Sequence, residues 1–206
     1  MKIAIVGTGN MGTGFAKSLA NTSHEVFIGS RAPEKAKEMA ESLGRNLQGG
    51  SIKEAAEFGE VIILAVGWFN IKEVLDQMGD LSGKVLVDIS NPLNKEFSAL
   101  AMSPDTSASE EIAKMSKGKV VKAFNTIFAA LLQSPDSSKE ASVFYCGDDE
   151  DAKRKVNQLI KDLGYEPVDT GPLSSARLLE QLGFINIMFA FKLNMGANHA
   201  FKLVRK

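Results

Sequence analysis

The chain has 206 residues, 44% of them apolar and 24% charged, which suits one folded domain with a buried core and excludes a disordered chain. Lysine and arginine number 24 against 25 acidic residues, a net charge of −1, so the basic excess of a protein that tracks nucleic-acid phosphates is absent. One cysteine, Cys146, and two histidines, His24 and His199, exclude a disulfide framework, a paired-cysteine zinc site and a histidine-rich metal site.

Residues 2–6 read as a buried strand. The run is too short for a signal-peptide core and ends in Gly7. A helix is expected at 10–21, a strand at 25–29 and a helix at 33–43, started by Pro33 and stopped by Gly44. A short strand near 46–48 follows. Ser51 reads as the N-cap of a helix at 52–58, with Glu54 three residues on completing a capping box. The nearly continuous apolar run 60–66 suits a strand covered on both faces. Then come a helix at 69–78, a strand at 84–89 and a long irregular stretch at 91–106. The rest reads as helix 107–116, strand 119–124, short helix 127–133, strand 141–146, helix 150–163, strand 165–169 and a helical tail from Pro172. The most apolar stretch, 184–193, is interrupted by Asn186 and Lys192 and falls well short of the ~20 residues of a membrane span. The expectation is a cytoplasmic protein.

Strands alternating with helices imply an α/β, doubly wound, mostly parallel sheet. Gly7-Thr8-Gly9-Asn10-Met11-Gly12 fits GxGxxG, directly after a strand and opening a helix, the context a dinucleotide-binding loop requires. Gly7 would permit the tight turn, Gly9 the approach of a pyrophosphate and Gly12 close packing of helix on sheet. Free N–H groups and the helix dipole would favour the diphosphate. The division expected is an NAD(P)-binding Rossmann domain at 1–171 and a short helical extension at 172–206.

An NAD enzyme carries an acid at the end of the second strand. Here that strand runs into Gly29-Ser30-Arg31, and Arg31 falls nineteen residues after Gly12, where the acid would stand. A guanidinium can fork onto a phosphate, Ser30 can add a hydrogen bond, and Lys35 follows one helical turn later. This points to NADP, the alternative being solvated surface cations. Ligands in open parallel sheets lie beyond the carboxyl ends of the strands. The candidate contacts for the nicotinamide half are therefore Ala65, Val66, Gly67, Asn91, Pro92, Ala123, Phe124 and Asn125. Asn91 and Asn125 could serve a carboxamide or a substrate, or could serve turns. Trp68 could instead anchor the following helix in the core.

No nucleophile or acid–base pair stands out. Cys146 reads as a small buried hydrophobe, His24 lies away from the ligand edge, and His199 suits a surface or interface. The acids at 148–151 suit a helix start. Reduction of a simple carbonyl wants a proton donor at the reacting oxygen, whereas hydride transfer to a flavin or deazaflavin ring asks less of the protein. An NADP-dependent oxidoreductase acting on a flavin-like ring or small electron acceptor is thus the first reading, and an NADPH-binding sensor without turnover the second. Imine or hydroxy-acid reductases normally add a helical domain that does not fit after Pro172. The segment 174–195 is apolar on most sides and is expected to be buried in a homodimer.

The sequence resembles the coenzyme F420-dependent NADP oxidoreductase family, which includes the cytosolic domain of six-transmembrane metalloreductases. The resemblance spans essentially the whole chain. It rests on the glycine loop, Gly29-Ser30-Arg31 with Lys35, Trp68, Asn91-Pro92-Leu93 and Lys122-Ala123-Phe124-Asn125-Thr126. Cys146-Gly147-Asp148-Asp149 and Asp169-Thr170-Gly171-Pro172-Leu173 with Arg177 complete it. It implies NADP contacts at Thr8, Ser30, Arg31 and Lys35, a deazaflavin-side segment at 124–126, coenzyme F420 or a flavin as second substrate, and a dimer. The archaeal deazaflavin enzymes carry histidine where this chain has Asn125 and proline where it has Phe128. The metalloreductase relatives share Phe-Asn at 124–125 but use a transmembrane haem domain.

Overall fold

Strand β1 (Lys2–Val6) shows how the sheet is buried from both sides. Ile3 and Ile5 join one apolar layer, Ala4 and Val6 the other, and all four are buried. Side chains alternate across a strand, so an unbroken apolar run fits only where helices cover both faces. The computed structural model describes residues 1–44, 46–133 and 140–205. The remaining strands are β2 (Glu25–Ser30), β3 (Leu47–Ser51), β4 (Val61–Leu64), β5 (Val85–Asp88), β6 (Lys119–Lys122), β7 (Ser142–Gly147) and β8 (Glu166–Asp169). They form one eight-stranded sheet in the order β3-β2-β1-β4-β5-β6-β7-β8. The order reverses at β1, which pairs in parallel with β2 and β4, so the crevice expected of a doubly wound sheet opens beyond their carboxyl ends.

The helices are α1 (Asn10–Leu19), α2 (Pro33–Leu43), α3 (Ile52–Phe58), α4 (Ile71–Met78), α5 (Ala108–Ser116), α6 (Ala129–Leu132), α7 (Glu150–Asp162) and α8 (Ala176–Ile187). Local signals place several as expected. Pro33 opens α2, and Gly44, at φ +150°, follows it. The capping box at α3 is complete: Glu54 N donates to Ser51 Oγ at 3.2 Å, and Ser51 N to Glu54 Oε2 at 2.7 Å. Strand β3 is longer than its glycine-rich sequence suggests. A side chain at Gly49 would run into the backbone of α2 at Ala36 and Lys37, so glycine is what lets α2 lie on this edge.

Two departures matter. First, β7 runs antiparallel to β6, pairing Val121 with Gly147 and Lys122 with Cys146. A parallel neighbour needs a crossover helix long enough to return the chain to the opposite edge. The antiparallel register puts the start of β7 beyond the carboxyl end of β6, so β7 begins at the ligand edge and runs back across the sheet. Second, the tail is not helical throughout. After α8 and a π-helical turn (Met188–Lys192), Asn194 and Gly196 take positive φ, and the chain doubles back. Ser142 N then donates to Phe201 O at 2.9 Å, and Leu203 N to Ser142 Oγ at 3.0 Å, tying the tail to the start of β7. Among the described residues no helix is long and apolar enough to cross a membrane.

Candidate functional site

The glycine loop leaves the end of β1 in a conformation only glycine holds easily: Gly7 has φ +120°, and a β-carbon there would overlap the Ala65 carbonyl. That carbonyl is close because Ala65 N donates to Val6 O at 2.9 Å, continuing the β1–β4 pairing. A β-carbon at Gly12 would overlap the Gly7 carbonyl, so Gly12 keeps the first turn of α1 against the loop itself more than against the sheet. Gly9 differs from both. A β-carbon there would meet nothing within 4 Å, and Gly9 fronts both clefts described below. Helix α1 starts beside it with no side-chain cap and no acid in its first turn. Unclaimed N–H groups beside an open glycine suit a diphosphate.

A cleft of about 300 Å³ runs along the loop, walled by Thr8, Ser30, Arg31, Ile52, Asn70 and Val74. Ser30 Oγ accepts from Ala32 N at 3.1 Å, which leaves the hydroxyl proton to donate. Arg31 Nη1 stands 3.8 Å from Glu73 Oε2 on α4, both side chains exposed. No acid replaces Arg31 at the strand end. Lys35 is exposed on α2, outside the residues that wall the cleft.

A larger cleft of about 730 Å³ opens on the other side of Gly9. It takes in Asn10, Met11, Ala65, Val66, Gly67 and Trp68, then Ser90 and Asn91 past β5 and Phe124, Asn125 and Thr126 past β6. Trp68 also packs against the core, as an anchor for the following helix would. Pro92 and Ala123, expected as contacts, are buried and line neither cleft. The chain turns there: Phe124 takes φ +60°, a strained conformation for an aromatic residue. Its ring packs into the core against Phe15 and Tyr165 at centroid distances of 5.1 and 6.2 Å, which holds the turn.

The far wall was not legible from the loop motifs. It consists of Phe128 and, from α8 and the turn after it, Asn186, Ile187 and Phe191. Three amides organise the polar floor. Asn91 Nδ2 donates to Asn125 O at 2.7 Å. Asn125 Nδ2 donates to Asn91 Oδ1 at 3.0 Å and Leu179 O at 2.7 Å. Asn186 Nδ2 donates to Thr126 O at 2.9 Å. The buried oxygens Ser90 Oγ, Asn125 Oδ1, Thr126 Oγ1 and Asn186 Oδ1 are left without partners.

Residues 2–92 match the family described as NADP oxidoreductase, coenzyme F420-dependent. The F420-dependent NADP reductase of Methanocaldococcus jannaschii is 33% identical to this chain over 88% of it and 89% of the relative. The chain belongs to this family. The crystal structure of a candidate F420-dependent NADP-reductase from Arthrobacter sp. FB24 matches it over all of both chains, with a TM-score of 0.89 and 32% identity. Metalloreductase STEAP3 of Rattus norvegicus is 34% identical over 88% of this chain but only 36% of its own length, so the chain spans about a third of that relative. A reductive aminase from Aspergillus terreus, at 18% identity and a TM-score of 0.68, shares the fold.

In this family member a buried ion cluster holds α8 under the larger cleft. Lys122 Nζ, fully buried, lies 2.9 Å from Asp88 Oδ2, 3.0 Å from Glu180 Oε1 and 2.6 Å from Ser90 O. Ser109 Oγ donates to Asp88 Oδ2 at 2.6 Å, and Ala108 N to Glu180 Oε1 at 2.9 Å. Burial disfavours every charge here. At Asp88 burial is the largest single effect, but the Lys122 charge and the hydrogen bonds from Ser109, Lys122 and Ser90 together outweigh it, and the carboxyl stays below its ordinary pKa. The two carboxylates outweigh burial at Lys122, which stays above its own. At Glu180 burial prevails and the pKa rises. Gly183 on α8 lies so close to the amide floor that a β-carbon would overlap Asn91 Oδ1. Cys146 is buried, its thiol pushed by burial to about 12, consistent with a packing role. His199 is half-buried: its ring packs against Phe128 and Phe189 at 5.4 and 6.2 Å, with both nitrogens buried and without partners. His24 is buried and bonds Asp162 Oδ2 at 2.9 Å.

Proposed function

We propose that this protein binds NADP(H) along the two clefts and exchanges hydride with a flavin- or deazaflavin-like ring seated in the larger one. Family membership makes it an NADP-dependent oxidoreductase, and the relatives' names supply coenzyme F420 as one such ring. The diphosphate belongs on Gly7, Thr8, Gly9, Asn10 and Met11, with Gly12 shaping the loop. The 2′-phosphate belongs at Ser30 and Arg31, with Lys35 adding positive potential. The nicotinamide side belongs at Ala65, Val66, Gly67, Asn91, Phe124 and Asn125. When bound, the reduced nicotinamide supplies the hydride.

One observation carries the choice of acceptor class. Among the described residues that line the larger cleft there is no Asp, Glu, His, Lys, Arg, Tyr or Cys. A carbonyl or imine needs a proton donor at the reacting atom, whereas a ring whose own nitrogen exchanges protons with water does not. The chain's part is to stack the rings and orient them. The test is single-turnover oxidation of NADPH against flavin and deazaflavin acceptors from pH ~6 to ~9. With no titrating group at the rings, the rate is expected to stay flat within about twofold. A sloped or bell-shaped profile, or no oxidation above blank with any ring, would refute the assignment.

We assign residues 1–171 to the dinucleotide-binding unit and 172–206 to an extension that completes the cleft and carries the dimer contact. One face of α8 is buried against this chain. Its exposed side carries Leu178, 72% exposed, and Ile185, and past the helix Leu193 and Met195 are exposed too. An apolar strip of this kind suits a second copy. Sedimentation is expected to show a dimer at micromolar concentration, and a monomer there would refute it.

A further inference from the structure

We propose that Asn186, on the C-terminal helix, reads a nitrogen-bound hydrogen of the hydride-exchanging ring. The acceptor would then be a planar ring with a lactam or imide edge, and rings lacking that N–H would be discriminated against. The inference rests on the hydride-exchange reading above and narrows it.

Amide orientation decides which atoms are left free. An asparagine offers two donors on nitrogen and an acceptor on oxygen. Asn186 Nδ2 is committed to a backbone carbonyl, Thr126 O at 2.9 Å, which can only accept. The same holds for Asn125 Nδ2 on Leu179 O. Both side chains are therefore fixed with their oxygens free, and those oxygens are buried without a partner in residues that line the larger cleft. Asn186 is itself only 1% exposed. An orphaned buried acceptor is unfavourable until a donor arrives, so this wall favours a ligand that brings an N–H. Its neighbours are apolar: Ile187, Phe128 and Phe191, the last two rings 6.2 Å apart and edge to face. They suit a flat ring. Asn186 is tied to Thr126 O just past β6, three strands along the sheet from the end of β1 that carries the glycine loop, and its oxygen is therefore given to the acceptor ring and not to the nicotinamide.

The experiment compares lumiflavin with its N3-methyl derivative, which differs at the imide N–H, in binding to the NADP⁺-loaded protein by fluorescence quenching and in NADPH oxidation. A site built around a donor rejects the analogue that lacks it, so the wild type is expected to bind the N–H ring at least about tenfold tighter. Asn186→Leu is expected to abolish this difference, chiefly by weakening the N–H ring, with NADPH affinity within about twofold of wild type. Asn186→Asp also loses the bond to Thr126 O but keeps an oxygen, and is expected to retain the preference. Equal binding of both rings by the wild type would overturn the proposal. So would loss of the preference in both variants, or an Asn186→Leu protein whose main defect is in NADPH binding. If neither ring oxidises NADPH, the hydride-exchange reading fails, while the binding comparison still decides the role of Asn186.

Discussion

Lys122→Met is expected to lower the stability of the fold by about 3–5 kcal/mol, a large part of the roughly 5–15 kcal/mol available to a typical domain. The magnitude follows from what is left behind. Methionine fills the space of the aliphatic stem, so packing changes little, but Asp88 and Glu180 remain buried with the cation between them gone. Both carboxylates still hold backbone donors, Ser90 N and Ala108 N, which keeps them in place. A triple variant with Asp88→Asn and Glu180→Gln added preserves those acceptors while removing both charges, and is expected to recover most of the loss. Urea unfolding of the two variants distinguishes the explanations. If the single substitution costs under about 1 kcal/mol, the cluster is not the fastening inferred here. If the triple variant is no better than the single one, the defect is packing and not charge. The cluster joins the ends of β5 and β6 to α8, so the single variant should also loosen the far wall of the cleft and weaken acceptor binding more than NADPH binding.

What could be read from the sequence and what could not divide along a physical line. The glycine loop, Pro33 and the capping box at Ser51 are local devices, satisfied by residues within a few positions of one another, and they stand where the residue types place them. The direction of β7 is not local. It depends on which edge the chain occupies after β6, and nothing in residues 142–147 themselves encodes that. The amide floor and the ion cluster depend on contacts between β5, β6, α5 and α8, whose partners are distant in sequence, Ala108 and Glu180 by 72 positions for example. Their signals were present only as anomalies: Lys122 inside an apolar strand, Asp88 after Val85-Leu86-Val87, Asn186 inside the apolar stretch 184–193. A polar group in such a run must find a partner or a ligand. Which of the two it finds is a tertiary fact. The C-terminal segment is divided in a way that its sequence pattern does not show. Its apolar residues do not share one environment: Leu179 and Ala190 are buried within the chain and Leu178 and Phe191 are exposed.

Arg31→Glu is expected to weaken NADP⁺ binding about a hundredfold and to leave NAD⁺ binding unchanged or improved, so that the preference between them collapses or reverses. Arg31 follows Ser30 at the end of β2, nineteen residues past Gly12, where an acid would otherwise accept from the ribose hydroxyls. Reversing its charge removes the fork for the 2′-phosphate and puts a carboxylate against it, while offering unphosphorylated ribose the acceptor it lacks. Exposure limits the effect: Arg31 is 62% exposed, so its attraction is screened and should decline with added salt. Glu73 supplies an internal control. Its carboxylate, 3.8 Å from the guanidinium, steadies Arg31 at the mouth of the smaller cleft but also competes with a phosphate for it. Glu73→Gln should therefore tighten NADP⁺ binding severalfold at low salt and leave NAD⁺ binding unchanged, provided that Arg31 is the phosphate ligand. Calorimetric titration of both dinucleotides into the three proteins gives the answer. Unaltered NADP⁺-to-NAD⁺ ratios in Arg31→Glu would remove the 2′-phosphate assignment, and with it the reason for preferring NADP at this site on the grounds of charge.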